Sequence, residues 1–203
     1  MSLEAERIDE NVDGGRRHFL LVATTVTGLA GAAFTAVPFL ASWKPSARAQ
    51  ALGAPVEVDI SKLELGAIVK VEWRGQAVYV VRRTPEMLAS LSTLDDQLRD
   101  PESADSEQPE YAKNETRAVN PEYLVVIGVC THLGCAPINR FEPADAELGA
   151  DWPGGFYCPC HGSKFDLSGR VFKDVPAPLN LRIPPYRFLA DTRLLIGADT
   201  GAA

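Results

Sequence analysis

Two six-residue segments contain most of the side chains in this 203-residue chain that could do chemistry. Residues 130–135 read CTHLGC and residues 158–163 read CPCHGS, and together they hold all four cysteines and two of the three histidines. Thiolate and imidazole groups brought together by two tight turns are typical of a metal centre with mixed ligands. The spacing fits a [2Fe–2S] cluster with two cysteines on one iron and two histidines on the other, which predicts a redox role.

Two other interpretations use the same residues. Four cysteines in an exported domain would also allow two disulfide bonds, with three possible connectivities. A Cys₂His₂ zinc site is the second alternative, although Cys-x-His is an unusual first pair for zinc and two cysteines would be left over. The residues alone favour the iron–sulfur centre and leave both alternatives open.

The two segments resemble the cluster-binding boxes of the Rieske iron–sulfur proteins of quinol:cytochrome c oxidoreductases. The similarity continues through residues 162–170 (GSKFDLSGR) and reaches residues 175–181 (VPAPLNL), which look like the family's proline-rich loop over the cluster. The resemblance covers nearly the whole chain. It implies a mainly β fold, a Rieske-type antiparallel β-sandwich with a small cluster-binding subdomain at about 129–178, behind one N-terminal transmembrane α-helix.

The resemblance also implies which residues form the site. The expected ligands of one [2Fe–2S] cluster are Cys130, His132, Cys158 and His161. A disulfide bond is expected between Cys135 and Cys160, and having both of these cysteines favours the high-potential, quinol-oxidising branch of the family. Ser163 is expected to donate a hydrogen bond to a bridging sulfide. Three residues are expected to shield the cluster and form an apolar docking tip: Leu133, Pro176 and Pro178.

By the same resemblance, the chain takes one electron and one proton from quinol and passes the electron to a c-type haem. His161 would accept the hydrogen bond from quinol, with His132 as the second imidazole of the catalytic centre. The expected partners are cytochrome b and a cytochrome c-type subunit. An alternative function is the small Rieske subunit of a periplasmic oxidase such as arsenite oxidase, and a non-redox zinc or disulfide-stabilised module is a more distant one.

The N-terminal part predicts a membrane anchor. Residues 18–43 contain no acidic or basic residue other than His18. A helix of this length reaches roughly 39 Å, enough to cross a hydrocarbon core of about 30 Å. Arg16 and Arg17 before it resemble a twin-arginine export signal, which predicts a cytoplasmic segment 1–17 and a head on the periplasmic side of a bacterial inner membrane. Residues 47–49 (ARA) also resemble a cleavage site, but the length of the apolar segment favours a retained anchor.

The remaining sequence predicts a linker and one globular head. Residues 44–55 are rich in small residues and bounded by prolines, which suits a flexible hinge before a head at 56–203. The net charge of −7 argues against nucleic-acid binding. Residues 95–122 carry nine acidic and three basic residues and predict a solvated or partly disordered insertion.

Alternation of apolar residues predicts strands at 56–60, 68–73, 77–81, 123–129, 186–189 and 193–197. Thr84 and Pro85 predict the start of a short helix. The chain departs from shorter family members in a longer connection at 140–153, where strand placement is unsettled. It also has Phe165 where many members have Tyr.

Overall fold

The structure is a computed structural model that describes residues 13–198. Its internal contacts divide the chain between Ala49 and Gln50, inside the expected linker, so the two parts are described separately. Most of the expected cytoplasmic segment 1–17 lies outside the described residues.

The N-terminal part forms one long helix, α1 (Gly14–Ala41), of 28 residues. It begins four residues before the predicted start because the Asp13 side chain accepts hydrogen bonds from the backbone N–H groups of Gly15 (2.9 Å) and Arg16 (3.3 Å). That cap satisfies donors that a helix start otherwise leaves unpaired. Length and composition make α1 able to cross a membrane, as the sequence predicted.

The expected linker contains a helix that the sequence reading did not predict. Helix α2 (Ala47–Gly53) has seven residues, and none of them is buried. A helix this short gains little stability by itself in water. The backbone N–H of Arg74 donates to the carbonyl of Leu52 (3.1 Å), which ties the end of α2 to a hairpin of the head. The expected linker thus contains one short helix, and its role as a hinge stays a prediction.

Within residues 56–198, the described part of the head, nine strands form three antiparallel sheets. The first sheet has the order β1–β9–β8, from β1 (Val56–Asp59), β8 (Tyr186–Ala190) and β9 (Arg193–Ile196). The second is the meander β2 (Ile68–Trp73), β3 (Gln76–Arg82) and β4 (Tyr123–Ile127). The third joins β5 (Ile138–Arg140), β6 (Gly155–Tyr157) and β7 (Lys164–Phe165).

The first two sheets share one apolar core, as expected for a sandwich. Val58 and Leu194 from one sheet and Val80 and Val126 from the other belong to the same buried cluster. All six predicted strands are present within about two residues, and α3 (Pro85–Leu91) begins after Thr84, whose side chain accepts from the N–H of Met87 (3.2 Å). The third sheet was not predicted, because its strands of two or three residues are too short to show alternation.

The acidic insertion is folded rather than disordered, which corrects that part of the sequence reading. It contains two short 3₁₀ turns, Asp95–Gln97 and Glu110–Ala112. Several of its side chains are fully or nearly fully buried: Leu98, Asp100, Ser103, Ser106, Ala112, Arg117 and Ala118. The connection 140–153 packs beside it, since Trp152 forms a second small core with Leu94, Leu98 and Phe172.

Gly155 gives a test of the third sheet. Its φ is 151°, and a Cβ added there would collide with the backbone carbonyl oxygen of Phe165 on β7, which cannot turn away. We expect Gly155→Ala to lower the free energy of unfolding by about 3 kcal/mol, as overpacked sites do, measured as a fall in Tm of the full-length protein.

The control is Gly75→Ala in the turn between β2 and β3. Gly75 also has a positive φ (72°), but a Cβ there meets nothing within 4 Å. This variant carries only the left-handed backbone strain, about 1 kcal/mol. Equal losses in the two variants would show that the contact with β7 is not the cause.

Candidate metal centre

The two cysteine-containing segments form turns with the same hydrogen-bond pattern. In the first, the N–H of Cys130 donates to the carbonyl of Cys135 (2.8 Å), and the N–H of Gly134 donates to the carbonyl of Cys130 (2.9 Å). In the second, the N–H of Cys158 donates to the carbonyl of Ser163 (2.8 Å), and the N–H of Gly162 donates to the carbonyl of Cys158 (3.0 Å). Each turn thus closes on its own first cysteine.

Glycine occupies the fifth position of both turns for a physical reason. Gly134 has φ 86° and Gly162 has φ 76°, and glycine adopts this left-handed region without a Cβ penalty. Strand β4 ends three residues before the first turn, and β6 ends directly before the second. The regular β structure therefore positions both turns.

A disulfide bond joins the turns, between Cys135 and Cys160, as the resemblance implied. Their Cα atoms are 6.6 Å apart, and 25 residues separate them in sequence. Cys130 and Cys158 are free and buried. The alternative with two disulfide bonds is therefore wrong for this structure.

The two free thiols lie close enough to interact. Burial raises the pKa of the Cys130 thiol, and the neighbouring Cys158 raises it further, while hydrogen bonds from the His132 backbone and the Ser163 side chain act in the opposite direction. Two uncompensated thiolates would repel each other in this buried place. A bound cation would remove that conflict, because it favours the deprotonated ligand.

The two histidines meet on the outer side of the thiols. Their ring centroids are 4.8 Å apart, and the rings are nearly perpendicular (84°). His132 is half-buried, whereas His161 is exposed. The imidazole that the sequence assigned to quinol contact is thus the more accessible one.

Ser163 is fully buried between the second turn and the proline-rich loop. Its hydroxyl oxygen accepts a hydrogen bond from the N–H of Ala177 (3.1 Å), which leaves the hydroxyl hydrogen free to donate. The bridging sulfide that the family resemblance implies as the acceptor of this hydrogen stays a prediction.

The proline-rich loop 175–181 also reaches the first turn. The hydroxyl of Thr131 donates to the carbonyl of Leu179 (2.6 Å). On the outer surface, Leu133 is 71% exposed, and Pro176 and Pro178 are exposed as well. Three apolar residues that the sequence assigned to a docking tip are therefore open to solvent.

Three buried arginines hold the segment after the second turn, and the sequence reading missed all of them. Arg170 binds the buried carboxylate of Asp166 (2.7 Å). Arg83 donates to the Ser168 hydroxyl (2.8 Å), and Arg117 donates to the carbonyls of Ser168 and Gly169 (both 3.2 Å). Burial lowers the pKa of Arg83 and of Arg117 to about 10, so both remain charged near pH 7. Arginine in a segment without regular structure gives no periodic signal from which this burial could be predicted.

The donor set fits a [2Fe–2S] cluster. Two buried thiols and two imidazoles come from two facing turns, and the turns are joined by a disulfide bond that leaves those four groups free. The sulfur atoms of Cys135, Cys158 and Cys160 also lie within 4.8 Å of one another. Two of these three are already bonded to each other, so this group does not compete as a metal site.

Two protein-family models match the chain. Residues 8–46 match "Ubiquitinol-cytochrome C reductase Fe-S subunit TAT signal", and residues 55–185 match "Rieske [2Fe-2S] domain". The chain is 59% identical over 194 residues to the ubiquinol-cytochrome c reductase iron-sulfur subunit of Allochromatium vinosum, covering 96% of this chain and 94% of that one. It is 42% identical over 190 residues to the subunit of the same name from Blastochloris viridis, covering 93% and 96%. A chain of a solved structure titled "Hyperthermophilic respiratory Complex III" aligns over 87% of this chain and 98% of its own length, with 25% identity and a TM-score of 0.45.

The ligand assignment is tested by substituting each of the four residues: Cys130→Ser, His132→Ala, Cys158→Ser and His161→Ala. If these residues are the ligands, each change would remove one of four iron–protein bonds, so we expect loss of nearly all bound iron and of the visible iron–sulfur absorption. Metal analysis and absorption spectra of the purified full-length protein measure this.

His18→Ala is the matched control, because His18 lies on α1 and not on either turn. It should keep wild-type iron content. Full iron content in His161→Ala would exclude that residue as a ligand.

Proposed function

Because the chain belongs to the Rieske [2Fe–2S] protein family, we propose that it is the iron–sulfur subunit of a bacterial quinol:cytochrome c reductase. It is a redox subunit that carries one [2Fe–2S] cluster and works as part of a complex with cytochrome partners. The observation that carries the proposal is the exposed His161 next to two buried thiols on disulfide-joined turns. This arrangement joins a surface hydrogen-bonding group to a buried one-electron centre.

The proposed ligands are the thiolates of Cys130 and Cys158 and the imidazoles of His132 and His161. The bound cluster supplies one-electron redox chemistry. The outer ring nitrogen of His161 accepts a hydrogen bond from a quinol hydroxyl and then holds the proton. With its other ring nitrogen bound to iron, the outer nitrogen of His161 would accept this hydrogen bond only in the deprotonated form of the imidazole, a form that a bound cation favours.

The exposed surface around His161 suits contact with a membrane-embedded cytochrome. Three apolar side chains are exposed to solvent here: Leu133, Pro176 and Pro178. Covering exposed apolar groups with a partner lowers the free energy of the complex. We assign these three residues to docking at the quinol site of cytochrome b. The electron then passes to a c-type cytochrome subunit.

The proposed location is the bacterial inner membrane, with the head on the periplasmic side. Helix α1 is long enough to act as the anchor, and Arg16 and Arg17 lie in its first turn. Disulfide bonds form and persist in oxidising compartments, so the bond between Cys135 and Cys160 suits the periplasm. The proposed domains are the anchor at 18–43, a hinge at 44–55 and the head at 56–203, with the cluster-binding subdomain at about 129–178.

Two measurements on membranes that contain the full-length chain test this function. Dithionite-reduced membranes should give the low-temperature EPR signal of a Rieske cluster, and solubilised chain should copurify with a b-type cytochrome. A cluster that copurifies with a different catalytic subunit would instead support the periplasmic-oxidase alternative. A zinc-containing, EPR-silent protein would contradict the redox proposal.

A linker substitution tests whether the head must move. Replacing residues 47–51 with prolines removes helix α2 and produces a stiff extended spacer of about 3.1 Å per residue. We expect quinol oxidation by the complex to slow at least tenfold, while the EPR signal of the cluster stays unchanged.

The control replaces the same five residues with glycine and serine, which removes the helix but keeps the linker flexible. Turnover in this variant should stay near the wild-type rate. Slow turnover in both variants would show that the helix itself is needed, and normal turnover in both would contradict a moving head.

Phe165→Tyr tests control of the reduction potential. Phe165 is fully buried and shares a core cluster with Cys130 and Cys158. By the family resemblance, a tyrosine hydroxyl here donates to the Cys130 sulfur. A hydrogen bond is worth about 1 kcal/mol, so we expect the midpoint potential to rise by roughly 40 mV. Redox titration followed by EPR measures the shift.

Phe172→Tyr is the matched control for this prediction. Phe172 is also buried, but it belongs to the second core with Trp152, and no cluster ligand lies in that core. Its potential should equal that of the wild type. A lowered or unchanged midpoint in Phe165→Tyr would mean that the ring at 165 is not directed at Cys130.

A further inference from the structure

Asn180, in the proline-rich loop 175–181, is fully buried and fully hydrogen-bonded. Its side-chain oxygen accepts from the N–H of Val171 (2.8 Å). Its side-chain amide donates to the carbonyl of Asp100 and to the hydroxyl of Ser103 (both 2.9 Å), and its backbone N–H donates to the hydroxyl of Ser106 (3.1 Å). One residue therefore fixes a loop that has no regular secondary structure.

Three of these partners belong to the acidic insertion 95–122. Asp100 organises them, because its carboxylate accepts from the N–H of Ala104 (2.7 Å) and from the hydroxyl of Ser106 (2.6 Å). Ser103 and Ser106 are buried along with it. We call Asp100, Ser103, Ser106 and Asn180 the loop anchor. Buried polar groups of this kind are costly to unpair, so they specify one arrangement.

Asn180 follows Ala177 by three residues, and Ala177 contacts Ser163 in the second turn. Ala177 donates its N–H to the oxygen of Ser163. With that lone pair engaged, the Ser163 hydroxyl hydrogen is directed away from Ala177 and is free to donate to the bound cluster. The orientation of the Ser163 donor therefore depends on where the loop holds Ala177.

We propose that Asn180 is a positioning residue for the redox centre: the loop anchor holds Ala177 so that the Ser163 hydroxyl keeps the orientation in which it donates to the cluster. The inference rests on the proposed function, since it concerns the potential of that same cluster. It assigns a role to the acidic insertion, which supplies three of the four anchor residues. A hydrogen bond donated to the cluster stabilises its reduced form, so loosening the anchor lowers the potential.

The test uses the double variant Ser103→Ala/Ser106→Ala in full-length protein in membranes. It removes two hydroxyls that bind Asn180 and changes no charge. At a fixed ambient potential near the midpoint, we expect the ratio of reduced to oxidised cluster to fall about three- to tenfold, where tenfold corresponds to about 59 mV. Ser90→Ala is the matched control, because the Ser90 hydroxyl binds only the local carbonyl of Met87 (2.8 Å). Its ratio should not change.

A double-mutant cycle with Ser163→Ala separates this mechanism from general loosening of the fold. If the anchor acts through Ser163, Ser103→Ala/Ser106→Ala should have no further effect on the ratio in the Ser163→Ala background. An equal fall in both backgrounds, or no fall in either, overturns the proposal. Absence of a cluster in the wild-type protein would instead overturn the proposed function. The iron content of the wild-type protein therefore shows whether the proposed function or the positioning role of Asn180 has failed.

Hydrogen exchange gives a second readout if the double variant holds too little cluster for titration. Peptides that contain Ala177 should then exchange faster than in the Ser90→Ala control, while peptides from strand β3 stay protected. Unchanged protection at Ala177 would show that the anchor does not hold the loop, whatever the potential does. The single variant Ser106→Ala, which keeps the Ser103 bond, should fall between the wild type and the double variant in both measurements.

Discussion

One constraint governs the packing of the head: two buried thiols lie close together, where two negative charges would repel each other unless a cation is bound between them. Cys130 and Cys158 come from separate turns, and each turn is closed by its own backbone hydrogen bonds around a glycine with positive φ. The turns meet only because strands β4 and β6 present them at one place and the disulfide bond joins them. The third sheet, the proline-rich loop and the insertion all pack around that meeting point.

The segment that follows the second turn is held by buried polar and charged contacts, although the two free cysteines themselves lie in the apolar core. Arg83, Arg117 and Arg170 are all at most 1% exposed and bind the carbonyls and side chains of residues 166–170. Arginine is suited to this role, because its planar fork makes several directed hydrogen bonds and its charge persists even when burial lowers the pKa. Because hydrogen bonds are directional, such contacts restrict the backbone conformation after the second turn more than nonpolar packing would. Rigid surroundings suit electron transfer, since they restrict structural change when the cluster charge changes.

Local signals in the sequence predicted some parts of this structure and not others. The strands of the sandwich alternate with period two, and α3 has both a cap and a proline at its start, so their positions could be read directly. Strands β5 to β7 are too short for such a pattern. The insertion looked disordered because its charge is high, yet Asp100 and Arg117 are buried through partners that lie far away in sequence. The disulfide bond agrees with the family resemblance, whereas the anchoring of Asn180 depends on contacts about 75 residues apart and left no local signal.

The hydrogen bond between Arg74 and Leu52 bears on the linker that we propose between anchor and head. Because Leu52 is tied to the head, only about ten residues after α1 remain to connect the two parts, and several of these are helical. A short linker turns encounter with a docking site into an intramolecular event at millimolar effective concentration. A short linker also prevents the head from binding to docking sites farther away than the linker can extend, even where such a site is complementary to the surface of the head. Under the proposed function, the length of the linker would therefore limit which electron acceptors the head can reach, independent of the affinity of the docking surface.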